Sequence, residues 1–554
     1  MSRPRGGAPV LRLLLPLLAC GRDLPPPTPG ALTVSVEQQS AWVRNFNPLS
    51  SAASARWPTS AGIYEPLMIF NDIAGRWEPW LGTEVAWDDT HLRARVTLRE
   101  GVRWSDGRDF SARDVAFTFQ LLRKFPALDR SAVWDFLEDV KAPDDRTVEF
   151  VFGRVFLPGL DDLLPQPIVP QHVWSEVADP VTFANPNPVA TGPFTEVRTF
   201  RNQLFELGSN PHYWQPGKPF VKVLRFPAYP SNDRANLALA FDEVDWAANF
   251  VPAIDRVFVQ RDPAHHRYWF PLTGTMVFLY ANTTRAPFDD RRVRQALSLA
   301  IDRELLNQVA VYGYSRPSGP SGLSDAFAAW RPPGQSDAQS WVSHDPGRAA
   351  ALLDEAGYRL GADGLRHRPD GKPLELELLA VAGWSDWVRA SQVIARDLRK
   401  LGLAVDVRTY DFSAWFERLQ QGNFALSLGW SVEGPTPYVF YRWLMSPKTV
   451  KPIGVAASGN WHRYGSPAAD ALLSAFEREP DPARQHALVG SLTDVFAAEA
   501  PAIPLYPNPS WGAYNTLRFT GFPSAADPYG DPSPNKIEAG DCLRALVSIR
   551  PVGP

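Results

Sequence analysis

Cysteine and methionine are scarce: two and four residues, respectively, in a chain of 554. Cys20 and Cys542 lie near opposite ends, so neither a disulfide scaffold nor a thiolate metal cluster can be built. Long apolar runs are missing as well. Beyond the first twenty residues, no stretch approaches the eighteen or so apolar residues of a membrane helix. The chain has no block of lysine and arginine, and its formal net charge of -4 argues against a nucleic-acid partner. It lacks a G-x-S-x-G elbow, an H-E-x-x-H pair and a G-x-x-x-x-G-K-[ST] loop. His265 and His266 are the only paired histidines, and neighbours in a strand point to opposite faces. No metal and no cofactor is expected, and the chain does not read as an enzyme. Sixty carboxylates guarantee some close pairs, so the acid/base dyad of a glycosidase stays open without a motif behind it.

Proline and tryptophan are abundant. The 54 prolines are about twice ordinary usage and favour rigid loops over long helices. The 20 tryptophans exceed what a structural core ordinarily requires. A chain this long splits into two or three domains. Residues 1–19 have the form of an export signal, with Arg3 and Arg5 ahead of the apolar run Leu13 to Ala19. Leu17-Leu18-Ala19-Cys20 then resembles a bacterial lipobox, which makes Cys20 the lipidation candidate. An ordinary signal peptide, or a Cys20–Cys542 bridge, is the competing reading. Residues 20–30, with four prolines, read as the tether of an anchored, non-spanning protein.

Periodicity gives the coarse organisation. Leu32 to Val36 alternates as a strand. Ser111, with Asp114 three residues on, caps a helix whose inner face carries Val115, Phe119 and Leu122. Val277, Leu279 and Ala281 form a strand ending at Asn282. Val293, Ala296, Leu297, Ala300 and Ile301 then follow at helical spacing after the Asp289-Asp290 cap. Asp302 caps a second helix with Leu305, Leu306 and Val309 inside, and Gly313 ends it. Asp345-Pro346 opens another helix. Leu374, Leu376 and Leu378, a helix from Trp387 to Leu401, and Leu403, Val405 and Val407 make a βαβ unit and hence a parallel pair. A helix at 412–420 and a strand from Phe424 to Trp430 continue this α/β pattern.

The segment from Asn282 to Arg303, N-x-x-x-x-P-F-D-D-x-R-V-R-x-A-L-x-x-A-I-D-R, resembles the signature of family 5 extracytoplasmic solute-binding proteins, the oligopeptide-type receptors of ABC importers. Four further blocks resemble that family's motifs in order: Leu98 to Phe119, Thr191 to Phe194, Asn210 to Trp214 and Val244 to Trp246. Phe241-Asp242 departs from its usual small residue and glycine. The resemblance implies an α/β fold of periplasmic-binding-protein type II, with two lobes joined by a two-strand hinge. Lobe one would take residues 31–283 and 505–554, with an extra subdomain at 64–175, and lobe two residues 287–502. Asn282, Pro287 and Pro504 are then the hinge candidates, and the Asp302-Arg303 pair is structural.

The same resemblance implies a monomer on the extracytoplasmic face, held to the membrane by lipid alone and served by permease and ATPase subunits. Its cargo would be an oligosaccharide or an oligopeptide. Trp384 and Trp430, at carboxyl ends of strands, are the leading stacking candidates, whereas Trp387 reads as core. Trp42, Asn45, Asn47, Glu433, Tyr438, Trp461 and Arg463 complete the candidate set. Trp430 to Tyr438 and Asn460 to Tyr464 resemble the subset that binds cello- and manno-oligosaccharides, which favours a sugar slightly over a peptide. A dedicated peptide receptor, a secreted glycoside hydrolase and a protein-docking lipoprotein are the alternatives.

Overall fold

The computed structural model describes residues 28–36, 38–50, 55, 62–331, 340–536 and 540–553. The signal segment, Cys20 and most of the tether lie outside the described residues. Two sheets organise the rest. A seven-stranded sheet runs in the order 266–269, 512–515, 246–247, 31–35, 223–227, 204–209, 194–201. A five-stranded sheet runs 404–410, 375–381, 426–430, 276–281, 503–507. The βαβ unit is present: Glu375–Val381 pairs in parallel with Ala404–Tyr410 across the helix Ser385–Lys400. That helix starts two residues before Trp387. A four-stranded sheet, 82–87, 93–98, 147–152 and 137–141, carries the helix Ala112–Lys124 on Ser111, whose capping box with Asp114 is complete.

Close approach and buried polar contacts join the distant motifs of lobe one. Gly192 donates its N–H to Ile63 (2.9 Å), and a side chain there would collide with the Gly62 and Ile63 carbonyls. Glu65 is fully buried and accepts from Trp80 Nε1 (2.7 Å), the Tyr213 hydroxyl (3.0 Å) and Trp214 Nε1 (3.2 Å). Burial pushes Glu65 up to about 7, opposed by those donors. The Phe241-Asp242 departure also has a local reason. Asp242 takes φ +64°, where glycine is usual, and its carboxylate is held by His266 Nε2 and Asn515 Nδ2, each at 2.7 Å.

In lobe two the signature segment follows the strand Met276–Ala281, forms the helix Arg291–Ala300 and opens the helix Arg303–Ala310, the two helices capped by Asp290 and Asp302. One helix-face assignment is corrected. Val309 is 41% exposed, and the inner face of the second helix carries Arg303, Leu306, Asn307 and Ala310. These positions lie three, four and seven residues from Arg303; Val309, three after Leu306 but six after Arg303, falls to one side of that stripe. Arg303 is buried and donates to the carbonyls of Pro504 (2.9 Å), Ser298 (2.9 Å) and Val342 (2.8 Å) and to Ser298 Oγ (2.6 Å). Arg294 reaches the carbonyls of Ala500 (2.7 Å), Glu499 (2.8 Å) and Phe288 (2.7 Å). The two guanidiniums thus hold the returning chain beside Met276–Ala281.

That attachment puts the two candidate hinge strands side by side in one sheet. Ile503–Pro507 pairs with Met276–Ala281, so both strands belong to lobe two rather than to the crossings. Pro504 lies within this ladder opposite Phe278. Asn282 is fully buried and donates to the carbonyls of Gly422 (2.8 Å) and Phe424 (3.2 Å). Asn282 and Pro287 follow the strand end that points away from lobe one. The chain instead crosses at 270–275 and 508–511, between the last strand of one sheet and the first of the other. These segments are tied by Asn508 N–H to Thr275 O (2.7 Å) and Ser510 N–H to Pro271 O (2.9 Å).

Replacing Arg303 with alanine removes four hydrogen bonds to buried acceptors, of which the Pro504 and Ser298 carbonyls keep Ser318 Oγ and Ile301 N–H as donors, and each bond lost from a charged donor costs roughly 1–3 kcal/mol. We expect Arg303→Ala to destabilise lobe two by about 3 kcal/mol or more in chemical unfolding followed by tryptophan fluorescence. A loss below about 1 kcal/mol would show that the guanidinium is dispensable for docking this strand.

Candidate functional site

The crossings leave one edge of each sheet facing the other lobe. Strands 375–381 and 426–430 run parallel to each other and end at this edge, whereas 276–281 runs antiparallel and begins there. The loops after 381 and 430, and the end of 503–507, therefore come together opposite lobe one. This is the position of a ligand crevice in open α/β sheets. Asn232 of lobe one donates its backbone N–H to Gly383 O (3.0 Å), and its side chain lies 3.4 Å from Ser385 Oγ and Asp386 Oδ1. Gly383 takes φ +89°, and a Cβ there would stand 2.7 Å from the Pro230 carbonyl of lobe one. The lobes touch here through bare backbone.

Trp384 and Trp430 are partly exposed members of an aromatic cluster at this edge, as is Phe416. Trp430 is stacked over Phe416 at 5.7 Å and 16° and meets Trp461 edge-on at 5.4 Å. Trp384 meets Trp387 edge-on at 4.9 Å. Trp387, Trp415 and Trp461 are buried beneath them and fix the ring planes. Three buried polar atoms of the seam residues have no partner among the described residues: Trp384 Nε1, the Tyr506 hydroxyl and Arg389 Nη1. Asp386 is nearly fully buried; burial pushes its carboxyl up to about 6, with Arg389 and Asn232 opposing. The charge of Asp386 in turn adds to the burial that raises the Tyr506 hydroxyl. A buried hydroxyl and indole N–H without acceptors are uncommon in a finished core.

Glu433 reaches the seam, where its carboxylate is engaged by the ammonium of Lys536 from the C-terminal segment. Six other candidates have structural partners instead. Trp42 is buried against Phe205 (5.3 Å), with its Nε1 donating to Phe226 O (3.0 Å). Asn45 accepts from Asn47 N (3.1 Å), and Asn47 donates to the carbonyls of Pro180 and Phe183 while accepting from Leu49 N. The pair shapes its own loop. Tyr438 is buried, stacks on Phe476 at 5.4 Å and donates to Glu477 Oε1 (3.0 Å). Trp461 Nε1 donates to Ala457 O (3.1 Å). Arg463 is buried and donates to Gln420 O (2.6 Å) and Val455 O (3.0 Å). His462, between them, accepts at its carbonyl from Thr283 N–H (2.9 Å), which places this turn at the sheet edge remote from lobe one. Asn232, Asp386, Tyr506 and Lys536 escaped the reading of the sequence, since none belongs to an aromatic run. The only local signal was the tyrosine closing Ile503-Pro504-Leu505-Tyr506.

Among the described residues no cluster of three or more histidine, cysteine, aspartate or glutamate side chains could hold a metal ion, and no helix is long and apolar enough to cross a membrane. Cys542 is buried, which pushes its thiol up to about 12.

The two-lobed arrangement has close structural relatives. A crystal structure of a mannohexaose-bound oligopeptide ABC transporter, periplasmic oligopeptide-binding protein, from Thermotoga maritima superposes with a TM-score of 0.87 at 27% identity, covering 94% of this chain and 98% of its own. The oligopeptide-binding protein AppA of Bacillus subtilis, solved with a nonapeptide, shares the fold at a TM-score of 0.79 and 19% identity, over 94% and 99% of the two chains. The nickel-binding periplasmic protein of Escherichia coli is 26% identical over 435 residues, 75% of this chain and 78% of its own. The fold is that of type II periplasmic binding proteins. The profile of "Bacterial extracellular solute-binding proteins, family 5 Middle" matches residues 76–451, and the chain belongs to family 5 of the bacterial extracellular solute-binding proteins.

Proposed function

We propose that this protein captures an oligosaccharide between its two closing lobes and delivers it to the permease and ATPase subunits of an ABC importer. The carrying observation is the chemistry of the seam: two partly exposed indoles beside a buried hydroxyl and an indole N–H that lack partners among the described residues. Sugars present apolar C–H faces that pack on indole rings and hydroxyl edges that satisfy such polar atoms. The mannohexaose held by the T. maritima relative supports the same reading. An oligopeptide is the second reading, supported by the nonapeptide on AppA. The receptor acts as a monomer, exported and anchored through Cys20 on the extracytoplasmic face. It is not a hydrolase, so its ligand leaves unaltered.

Closure is a rotation about 270–275 and 508–511, and ligand shifts the population toward the closed form. Gly383 is its steric gauge, because any side chain there strikes Pro230 before the seam shuts.

Mannohexaose and cellohexaose, tested by thermal shift against tri-alanine, should raise the melting temperature in proportion to RT ln(1 + [L]/Kd), about 2.7 kcal/mol at a hundredfold excess over Kd. Trp384→Ala and Trp430→Ala should each weaken sugar binding about tenfold, the scale of one lost aromatic contact. Stabilisation by peptides and by no carbohydrate would transfer the assignment to the second reading, and cleavage of the sugar, seen by chromatography, would make the protein a hydrolase. In small-angle scattering the wild type should compact on binding sugar, whereas Gly383→Val should stay open. Equal compaction of the two proteins would rule out closure at this contact.

A further inference from the structure

Seam residues offer two carboxylates to a cationic ligand, and both are already compensated from within. Asp386 is buried beside Asn232 and in the field of Arg389. Glu433, three residues beyond the stacking face of Trp430, touches the ammonium of Lys536. Lys536 belongs to lobe one. The segment before it is fixed by Trp246 Nε1 donating to Pro532 O (2.7 Å) and by Asp531, which accepts from Ser510 Oγ (2.6 Å) and Ser533 N (2.8 Å). From that base the lysine reaches across the seam, with Asp72 at 3.3 Å and Asp531 at 3.8 Å completing its surroundings.

The four side chains are poorly hydrated: Lys536 is 13% exposed, Glu433 19%, Asp72 3% and Asp531 0%. Burial works against the charged ammonium, yet Glu433, Asp72 and Asp531 together hold Lys536 well above the usual lysine range. Burial raises the Glu433 carboxyl and Asp72 and Asp531 add to the rise, while the adjacent Lys536 ammonium opposes it. A compact ammonium among three carboxylates is a strongly favoured arrangement away from bulk water. An incoming ammonium would have to displace it and leave Lys536 buried with fewer partners.

We propose that Lys536 is a specificity-determining residue whose ammonium occupies the seam carboxylate Glu433 and so excludes ligands with a cationic end, peptides with a free α-ammonium above all. The inference rests on the reading of the seam as the binding site and narrows its substrate class to uncharged oligomers. Removing the lysine charge would leave Glu433, Asp72 and Asp531 around a space without a counter-ion, and an external ammonium is the complementary guest.

The test pairs wild type with Lys536→Met and, should that variant unfold, with Lys536→Gln, using tri-alanine, N-acetyl-tri-alanine and mannohexaose as probes in calorimetry. Wild type should respond to neither peptide. The variant should bind tri-alanine at least tenfold more tightly than its N-acetylated form, and adding Glu433→Gln should abolish that preference. The proposal is overturned if wild type binds tri-alanine in preference to the acetylated peptide. It is equally overturned if a folded variant, verified by its unfolding transition, treats the two peptides alike. Mannohexaose separates the two levels. Wild type indifferent to this sugar counts against an oligosaccharide at the seam, while the preference between free and acetylated peptide still reads the role of Lys536.

Discussion

Two guanidiniums buried in the second lobe set the geometry on which everything else depends. Arg303 and Arg294 carry no carboxylate in their described hydrogen bonds; they bind backbone oxygens at 499, 500 and 504, together with Ser298, Val342 and Phe288. A buried cation bonded to neutral carbonyls is costly to disrupt, because buried acceptors lose charge-assisted hydrogen bonds that water does not replace. The returning strand is therefore part of the second sheet, and the chain passes between the two sheets in two short segments joined by backbone hydrogen bonds. Burial pulls the Arg303 guanidinium down to about 9, which still leaves it protonated at neutral pH.

With the crossings placed there, the carboxyl ends of the central strands and the amino end of Met276–Ala281 share one edge. Contacts between the lobes include the Asn232 amide on Gly383, the Lys536 bridge to Glu433, Arg154 on Glu477 (2.6 Å), the Ile254 N–H on the Tyr314 hydroxyl (2.7 Å) and the ring pairs Phe156–Tyr438 and Phe250–Tyr314. The boundary therefore mixes polar bridges with aromatic contacts. The indoles at the edge gain their orientation from the buried tryptophans behind them, so part of the tryptophan excess supports the site without touching it.

Local structure was largely legible in the residues. Caps at Asp290, Asp302 and Asp345, the capping box at Ser111 and the alternation around Leu376 each marked an element that the structure contains. These signals depend on neighbours within four residues. The helix face with Val309 failed because a short helix leaves two similar stripes, and only packing chose between them. The site was less legible. Trp42, Trp461 and Trp430 look alike in sequence, yet the first two are buried with their indole N–H groups bonded to carbonyls while Trp430 keeps a partly open face. Asn47 and Arg463 were plausible sugar partners until Asn47 Nδ2 and Arg463 Nη2 were found bonded to backbone carbonyls of neighbouring segments.

The sequence by itself determined the family, the α/β architecture and the order of helices and strands, because hydrophobic period, capping chemistry and short motifs act over short spans of chain. Only the tertiary structure decided which lobe owns the strand at 503–507, which tryptophans face the seam, and that Glu433 already has its cation. Those facts depend on residues some one hundred to two hundred and thirty positions apart meeting in space: Arg303 with Pro504, Met276–Ala281 with Ile503–Pro507, Lys536 with Glu433. Burial and charge pairing belong to such meetings, and no local pattern encodes them.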